Sequence, residues 1–194
     1  AFACGNIGIP FANLNLKDNS KKILVVESSS FQLDKIDKLK FDIAILLNIS
    51  KDHLDWHKSM QSYIDAKLNI FRNQDENCFA VICVDDKYCK KIAKSFKKKF
   101  KSKLVTISTK QKIHDGIYVK KQKDGILINN NLSSQKIKVF SENMKFTPAE
   151  HNFQNLLATY ATHFLLEKKP DNFIKSIRTM ENLEHRIEFV GSLK

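Results

Sequence analysis

A chain of 194 residues and 22.4 kDa is long enough to bury a core of its own, and 42% hydrophobic content with a mean hydropathy of −0.35 is ordinary for a globular protein. No apolar run approaches the ~20 residues of a membrane-spanning helix, and nothing at the start resembles a signal peptide. A net charge of +12 and a pI near 9.5 invite a nucleic-acid partner, but only three of the 33 basic residues (Arg72, Arg178 and Arg186) carry the planar fork that reads phosphates and base edges. The lysine excess, beside many Asn and Ile, fits coding bias in an AT-rich genome better. A positive field still attracts phosphorylated small molecules. The four cysteines (Cys4, Cys78, Cys83, Cys89) show neither a CxxC pair nor zinc spacing, which predicts buried thiols in a reducing cytoplasm. A chain opening at Ala1 without methionine is expected to be a piece of something longer.

In chain order, residues 4–10 (Cys-Gly-Asn-Ile-Gly-Ile-Pro) predict a glycine turn, with Gly5 and Gly8 supplying positive φ and Asn6 an amide. Lys22–Glu27 reads as a buried strand that closes on a carboxylate and runs into Ser28-Ser29-Ser30. Glu27 is either a solvated strand end or a hard oxygen ligand of the kind magnesium takes. Ser29 or Ser30 is a candidate cap for the next helix. Phe41–Asn48 reads as another buried strand, followed by Lys51-Asp-His53-Leu-Asp55 at its carboxyl end, where open α/β sheets place their ligands.

Met60–Arg72 predicts a helix whose apolar face carries Met60, Tyr63, Ile64, Leu68 and Phe71. Lys67 falls inside that stripe. Its ammonium either snorkels outward or, with its pKa lowered by burial, becomes an amine that carbon dioxide converts to an anionic carbamate ligand. His53 is correspondingly either an ordinary loop histidine or a ligand.

Cys78–Val84 reads as a third buried strand, and Asp86–Phe96 as a lysine-rich helix with Tyr88, Ile92 and Phe96 on its apolar side. Strand and helix alternation argues for a parallel sheet. After Lys101 the runs Leu104–Ile107, Ile113–Lys120, Ile126–Asn130 and Ile137–Phe140, separated by Asp124-Gly125 and Asn129-Asn-Asn131, predict a small antiparallel region of hairpins packed on the α/β core. His114 reads as a surface histidine. Thr147-Pro-Ala-Glu150 predicts a helix start, with Thr as cap, and the helix runs to about Leu166. His151 and Asn152 fall in its first turns, where polar ligands are favoured. A further helix is predicted over Asp171–Thr179. Leu183–Phe189 reads as the start of a strand, with Arg186 either a phosphate contact or a surface ion-pair partner.

Five stretches in order, Gly5–Pro10, Glu27–Leu33, Asn48–Asp55 with Lys67, Glu150-His-Asn152 and Glu184–Glu188, resemble the central domain of the ATP-dependent Mur ligases of peptidoglycan synthesis. The Glu-x-Ser-Ser-Phe-Gln-Leu and Gly-Asn-Ile-Gly versions resemble the branch that adds D-glutamate to UDP-N-acetylmuramoyl-L-alanine. Ser28 departs from the leucine usual after the Glu. The resemblance implies an α/β, ATPase-type domain: a mostly parallel sheet flanked by helices with a small antiparallel β-region. It implies ATP, two Mg2+ ions and a carbamylated Lys67. Glu27 then matches a magnesium ligand, His53 and Lys67 the second metal site, Gly5, Asn6 and Ser29 the part facing the muramoyl substrate, and Asn152 and Arg186 the nucleotide contacts. A cytoplasmic bacterial monomer follows from the same resemblance.

The family's Gly-x-x-Gly-Lys-Ser/Thr phosphate loop has no match in the 194 residues. The expected organisation is therefore residues 1–183 as a central domain truncated before that loop, and 184–194 as the start of a connection to a further domain. Without the loop the phosphates lose their cradle, and the chain alone is expected to be inactive. Rival readings are a folylpolyglutamate-synthase-like enzyme or another Mur ligase, a non-catalytic binding module of the same fold, and a basic nucleic-acid-binding protein.

Overall fold

The structure, a computed structural model, describes residues 1–14, 22–144 and 149–179. The chain divides into two compact units. The first is built from Ala1–Lys40 and Lys51–Asn73, the second from Phe41–Ser50 and the described residues from Gln74 onward.

In the first unit, β1 (Phe2–Gly5) and β2 (Leu24–Glu27) pair in parallel, with Phe2 opposite Leu24 and Gly5 opposite Glu27. The turn expected over residues 4–10 is thus partly strand. Four residues, one of them Gly, carry too little β-branched pattern to announce β1. The predicted buried strand over Lys22–Glu27 is shorter and only half covered, because a two-stranded sheet shields one face: Val26 is half-buried and Val25 is 57% exposed. Both loop glycines do adopt positive φ, +110° at Gly5 and +77° at Gly8. A short helix α1 (Ser30–Asp34) follows β2. Two more helices, α2 (Leu54–His57) and α3 (Met60–Leu68), complete the unit, and α3 continues as a 3-10 turn over Asn69–Phe71. Ser59 caps α3 by accepting from the Ser62 amide at 3.1 Å. Tyr63, Ala66, Leu68 and Phe71 are buried and Lys67 half-buried, so the apolar stripe read from the sequence exists. It is carried by two helical segments of different pitch.

The second unit holds one six-stranded sheet: β3 (Ile43–Leu46), β4 (Phe79–Cys83), β5 (Lys103–Ser108), β6 (Gly116–Gln122), β7 (Gly125–Asn130) and β8 (Gln135–Phe140), adjacent in that order. Pairing is parallel from β3 to β6 and antiparallel from β6 to β8. The hairpins β6–β8 therefore prolong the parallel sheet in its own plane instead of packing onto it, and Leu104–Ile107, expected among the antiparallel runs, is a parallel strand paired with both β4 and β6. Helix α4 (Lys87–Ser95), capped by Asp86, links β4 to β5, and Cys89, Ile92 and the following Phe96 face inward. No helix links β5 to β6. Only three residue pairs overlap there, Thr106–Ser108 against Gly116–Tyr118, so β6 begins where β5 ends and a short loop suffices.

Helices α5 (Glu150–Leu165) and α6 (Pro170–Ile177) cover the sheet, and Phe153, Leu156, Leu157, Tyr160, Phe173 and Ile177 join its isoleucines and valines in one core. Helix α5 begins at Glu150 after Ala149, with no side-chain cap among the described residues; the predicted cap Thr147 and Pro148 lie outside them. Asn129 and Asn130, read as turn residues, lie in β7 and are buried. Asn130 donates to the Tyr160 hydroxyl at 3.3 Å and accepts from the Leu132 amide at 3.0 Å, which makes its burial tolerable. All four cysteines are buried and unbridged, as predicted. Among the described residues no helix is long and apolar enough to cross a membrane.

Candidate functional site

All described residues singled out from the sequence except Asn152 fall in the first unit, in two groups. The first surrounds the end of β2. The Gly5 amide donates to the Ile9 carbonyl at 2.9 Å and closes the glycine loop, and the Asn6 amide donates to the Glu27 carbonyl at 2.8 Å. Gly5 lies so close to β2 that a Cβ there would collide with the Glu27 carbonyl oxygen. Glycine is thus required twice over, by contact and by its φ. The pairing sets Gly5, Asn6 and the exposed Glu27 side by side. Ser29 is the cap of α1: its hydroxyl accepts from the Gln32 amide at 3.3 Å, and the Gln32 side chain accepts from the Ser29 amide at 2.9 Å. That capping box is worth about 1 kcal/mol.

The second group is built on Tyr63, a buried ring of α3. The His53 ring lies 6.3 Å from it, the His57 ring 5.3 Å, and the Lys67 ammonium 5.1 Å from its centre. His53 and Lys67 thus share Tyr63 as a neighbour. Its hydroxyl pKa is raised by burial and, secondly, by the Asp52 charge. Asp52 accepts from the His53 amide at 2.8 Å, and its other oxygen lies 3.4 Å from His53 Nε2. His53 itself has φ +50°, a left-handed conformation costly to a residue with a Cβ, of order 1–3 kcal/mol. The strain aims the imidazole back over Phe31 of α1, at 4.9 Å between ring centres.

As donors these residues are sparse. No group of three or more His, Cys, Asp or Glu able to hold a metal ion stands together among the described residues. A cage metal such as structural zinc does not fit this set. Magnesium does, since it keeps several waters and takes one or two carboxylates together with phosphate oxygens. Glu27 supplies one such oxygen. Lys67 suits a cation only as a carbamate, because its ammonium would repel one.

Within the second unit, a separate polar cluster lies at the carboxyl ends of β4 and β5. There the Asp85 carboxylate accepts from the Ser108 hydroxyl, from the Thr109 amide (2.8 Å) and hydroxyl (2.7 Å), and from the Cys83 thiol (3.3 Å). Burial alone would raise the Asp85 pKa, but these donors together hold it below the ordinary carboxylate value. The Cys83 thiol is pushed up by burial and then by the Asp85 charge, so it is no nucleophile. Asn152 stands in the first turn of α5, two residues after Glu150, whose carboxylate pairs with Lys110 at 2.7 Å. Arg186 lies outside the described residues. A cavity of about 730 Å³ in this unit is lined by residues including Phe79, Gln135, Phe164 and Lys168, none of them a predicted site residue.

Sequence reasoning missed His57, which is buried, and the part played by Phe31. The spacing His53, Trp56, His57 gave a signal, three rings at i, i+3 and i+4, which is one face of a helical turn.

The family model for the Mur ligase middle domain matches residues 4–163, and the chain belongs to that family. It is 35% identical over 189 residues to the UDP-N-acetylmuramoylalanine--D-glutamate ligase of Rickettsia felis, covering 97% of this chain and 40% of that protein. It is 33% identical over 192 residues to the ligase of the same name from Clostridioides difficile, covering 99% and 41%. The chain thus spans about two fifths of the length of these relatives. Among solved structures it resembles a UDP-N-acetylmuramoyl-L-alanyl-D-glutamate--2,6-diaminopimelate ligase (TM-score 0.67, 19% identity, 87% of this chain and 34% of that one). It also resembles the MurF ligase of Thermotoga maritima in complex with ADP (TM-score 0.59, 18% identity, 82% and 36%). These likenesses show the fold.

Proposed function

We propose that this chain is the central part of a cytoplasmic, monomeric bacterial ligase that joins D-glutamate to UDP-N-acetylmuramoyl-L-alanine at the expense of ATP. The observation that carries the reading is the 35% identity to a D-glutamate ligase over 97% of the chain, and the family match over residues 4–163 takes in Gly5, Glu27, His53 and Lys67. In the reaction, a substrate carboxylate oxygen attacks the γ-phosphorus of ATP and ADP leaves. The amine of D-glutamate then attacks the acyl carbon, loses a proton and displaces phosphate. Two magnesium ions would supply the positive charge that offsets the phosphates and the developing oxyanion.

The chain's residues bind and orient. Glu27 would hold one ion, and His53 with the Lys67 carbamate the other. The Gly5–Asn6 loop would present backbone and amide groups to the muramoyl substrate, with Ser29 beside it. Asn152 and Arg186 would contact the nucleotide. Residues 1–183 would form the central domain and 184–194 the connection to the next. The 194 residues contain no Gly-x-x-Gly-Lys-Ser/Thr loop, so the chain alone should not turn over ATP.

The test is ADP release by the complete protein. It should require both UDP-N-acetylmuramoyl-L-alanine and D-glutamate. Release that needs neither, or that needs L-glutamate and a folate, would overturn the reading.

A further inference from the structure

The two groups of site residues stand on different stretches of chain, β2 with the start of α1 and the segment from Asp52 to Lys67. What joins them is a buried polar contact. His57 and Ser30 are 7% and 3% exposed, and His57 Nε2 hydrogen-bonds with Ser30 Oγ at 3.0 Å. Ser30 is the first residue of α1, next to the Ser29 cap and three residues beyond Glu27. His57 is the last residue of α2, four beyond His53. Phe31 seals the joint: the His57 ring stacks on it at 5.6 Å and 21°, while His53 tilts against it at 4.9 Å. The other side of His57 meets Tyr63, the ring that also carries Lys67.

We propose that His57, through its bond to Ser30, is the positioning residue that sets His53 and Lys67 relative to Glu27, and so fixes the geometry in which divalent metal and phosphate are held. This rests on the metal-site reading above. A core built only for stability would put apolar side chains here. Burying an imidazole and a hydroxyl is costly unless each has a partner, and the bond between them is directional. It spans 27 residues of sequence and ties the end of α2 to the start of α1. Outer-shell partners of this kind alter metal affinity about 10- to 100-fold when removed.

The experiment uses the complete protein and reads Mn2+ binding by electron paramagnetic resonance, with ATP present, beside the magnesium dependence of ADP release. His57→Leu should weaken Mn2+ binding and raise the half-saturating magnesium concentration ~10-fold, with the KM for D-glutamate unchanged. His57→Gln, whose amide reaches the place of Nε2, should recover most of the affinity. Ser30→Ala removes the same bond with little loss of volume. It should weaken Mn2+ binding in the same direction, and it decides the matter if His57→Leu does not fold. Lower melting temperatures with unchanged Mn2+ affinity in both variants would overturn the proposal and leave His57 a packing residue. If the wild type binds Mn2+ and the variants lose it, but no release of ADP depends on D-glutamate, the ligase reading fails and the positioning role stands.

Discussion

The Lys67 ammonium lies 5.1 Å from the centre of the Tyr63 ring, a cation on an aromatic face where the proposed chemistry requires an anion. Carbamylation would reverse the sign of the charge on that ring, so the side chain must leave Tyr63 or the ring must yield. Lys67→Ala in the complete ligase should nearly abolish turnover, and short carboxylic acids should restore part of it by replacing the missing oxygens. Full activity of that variant would remove Lys67 from the site. Gly5 allows a second test. Alanine there meets both a forbidden φ and the Glu27 carbonyl, so Gly5→Ala should cost at least about 1 kcal/mol of stability. It should also displace the Asn6 amide from its bond to Glu27. Substrate affinity falling more than the melting temperature suggests would place the loop at the muramoyl substrate, whereas an unperturbed variant would show that the loop can move aside.

The elements divide into those legible in the sequence and those that were not. Strand β4 and helix α4 follow from an apolar run and an Asp cap, because burial on both faces of β4 leaves a continuous pattern, whereas β5, only partly covered, reads as an antiparallel run. Strand β1 was illegible, since its four residues gain their partner from Leu24–Glu27, over twenty residues on. The line of β6 through β8 along the parallel sheet was hidden for a similar reason: periodicity reports burial, not which edge a hairpin joins. At the candidate site, Lys67 stands out in the sequence as a lysine inside an apolar stripe, while Glu27 and His53 are open there between ordinary residues and ligands. His57 is signalled only by the ring spacing with His53 and Trp56, and its hydrogen-bond partner Ser30, 27 residues away, is invisible to periodicity.

The clamp between β4 and β5 shows the same limit and carries a prediction. The donors around Asp85 lower its pKa below the ordinary 3.8. Its charge therefore stabilises the fold above the unfolded value of about 3.9, and that contribution is lost as pH falls through the lower folded value. Asp85→Asn should destabilise the protein near neutrality, and its melting-temperature deficit should narrow as the buffer is taken below pH 4. A deficit independent of pH would mean that the hydrogen bonds, not the charge, hold the clamp.

At the scale of the whole molecule, the +12 charge is spread over lysines and concentrated along Lys87–Lys103, on and after α4. No arginine falls within that stretch. Binding to DNA or RNA should be weak and should vanish at moderate salt, without preference for sequence. Tight binding that survives such salt would revive a nucleic-acid role.

The second unit is also discontinuous. Strand β3 lies before the Lys51–Asn73 stretch that belongs to the first unit, and its partner β4 lies after it. Strands β6, β7 and β8 follow one another across turns at Lys123-Asp124 and Asn131–Ser134. Order of assembly follows from this contrast. Hairpins close small loops and form early, while β3 must wait for a long intervening segment whose closure entropy is repaid only on docking. Ile128→Val in β7 should therefore slow refolding. Leu46→Ala in β3 should chiefly hasten unfolding. On a ribosome, β3 would be the first strand of the second unit to emerge and the last to be seated, waiting without its β4 partner while the Lys51–Asn73 stretch is made.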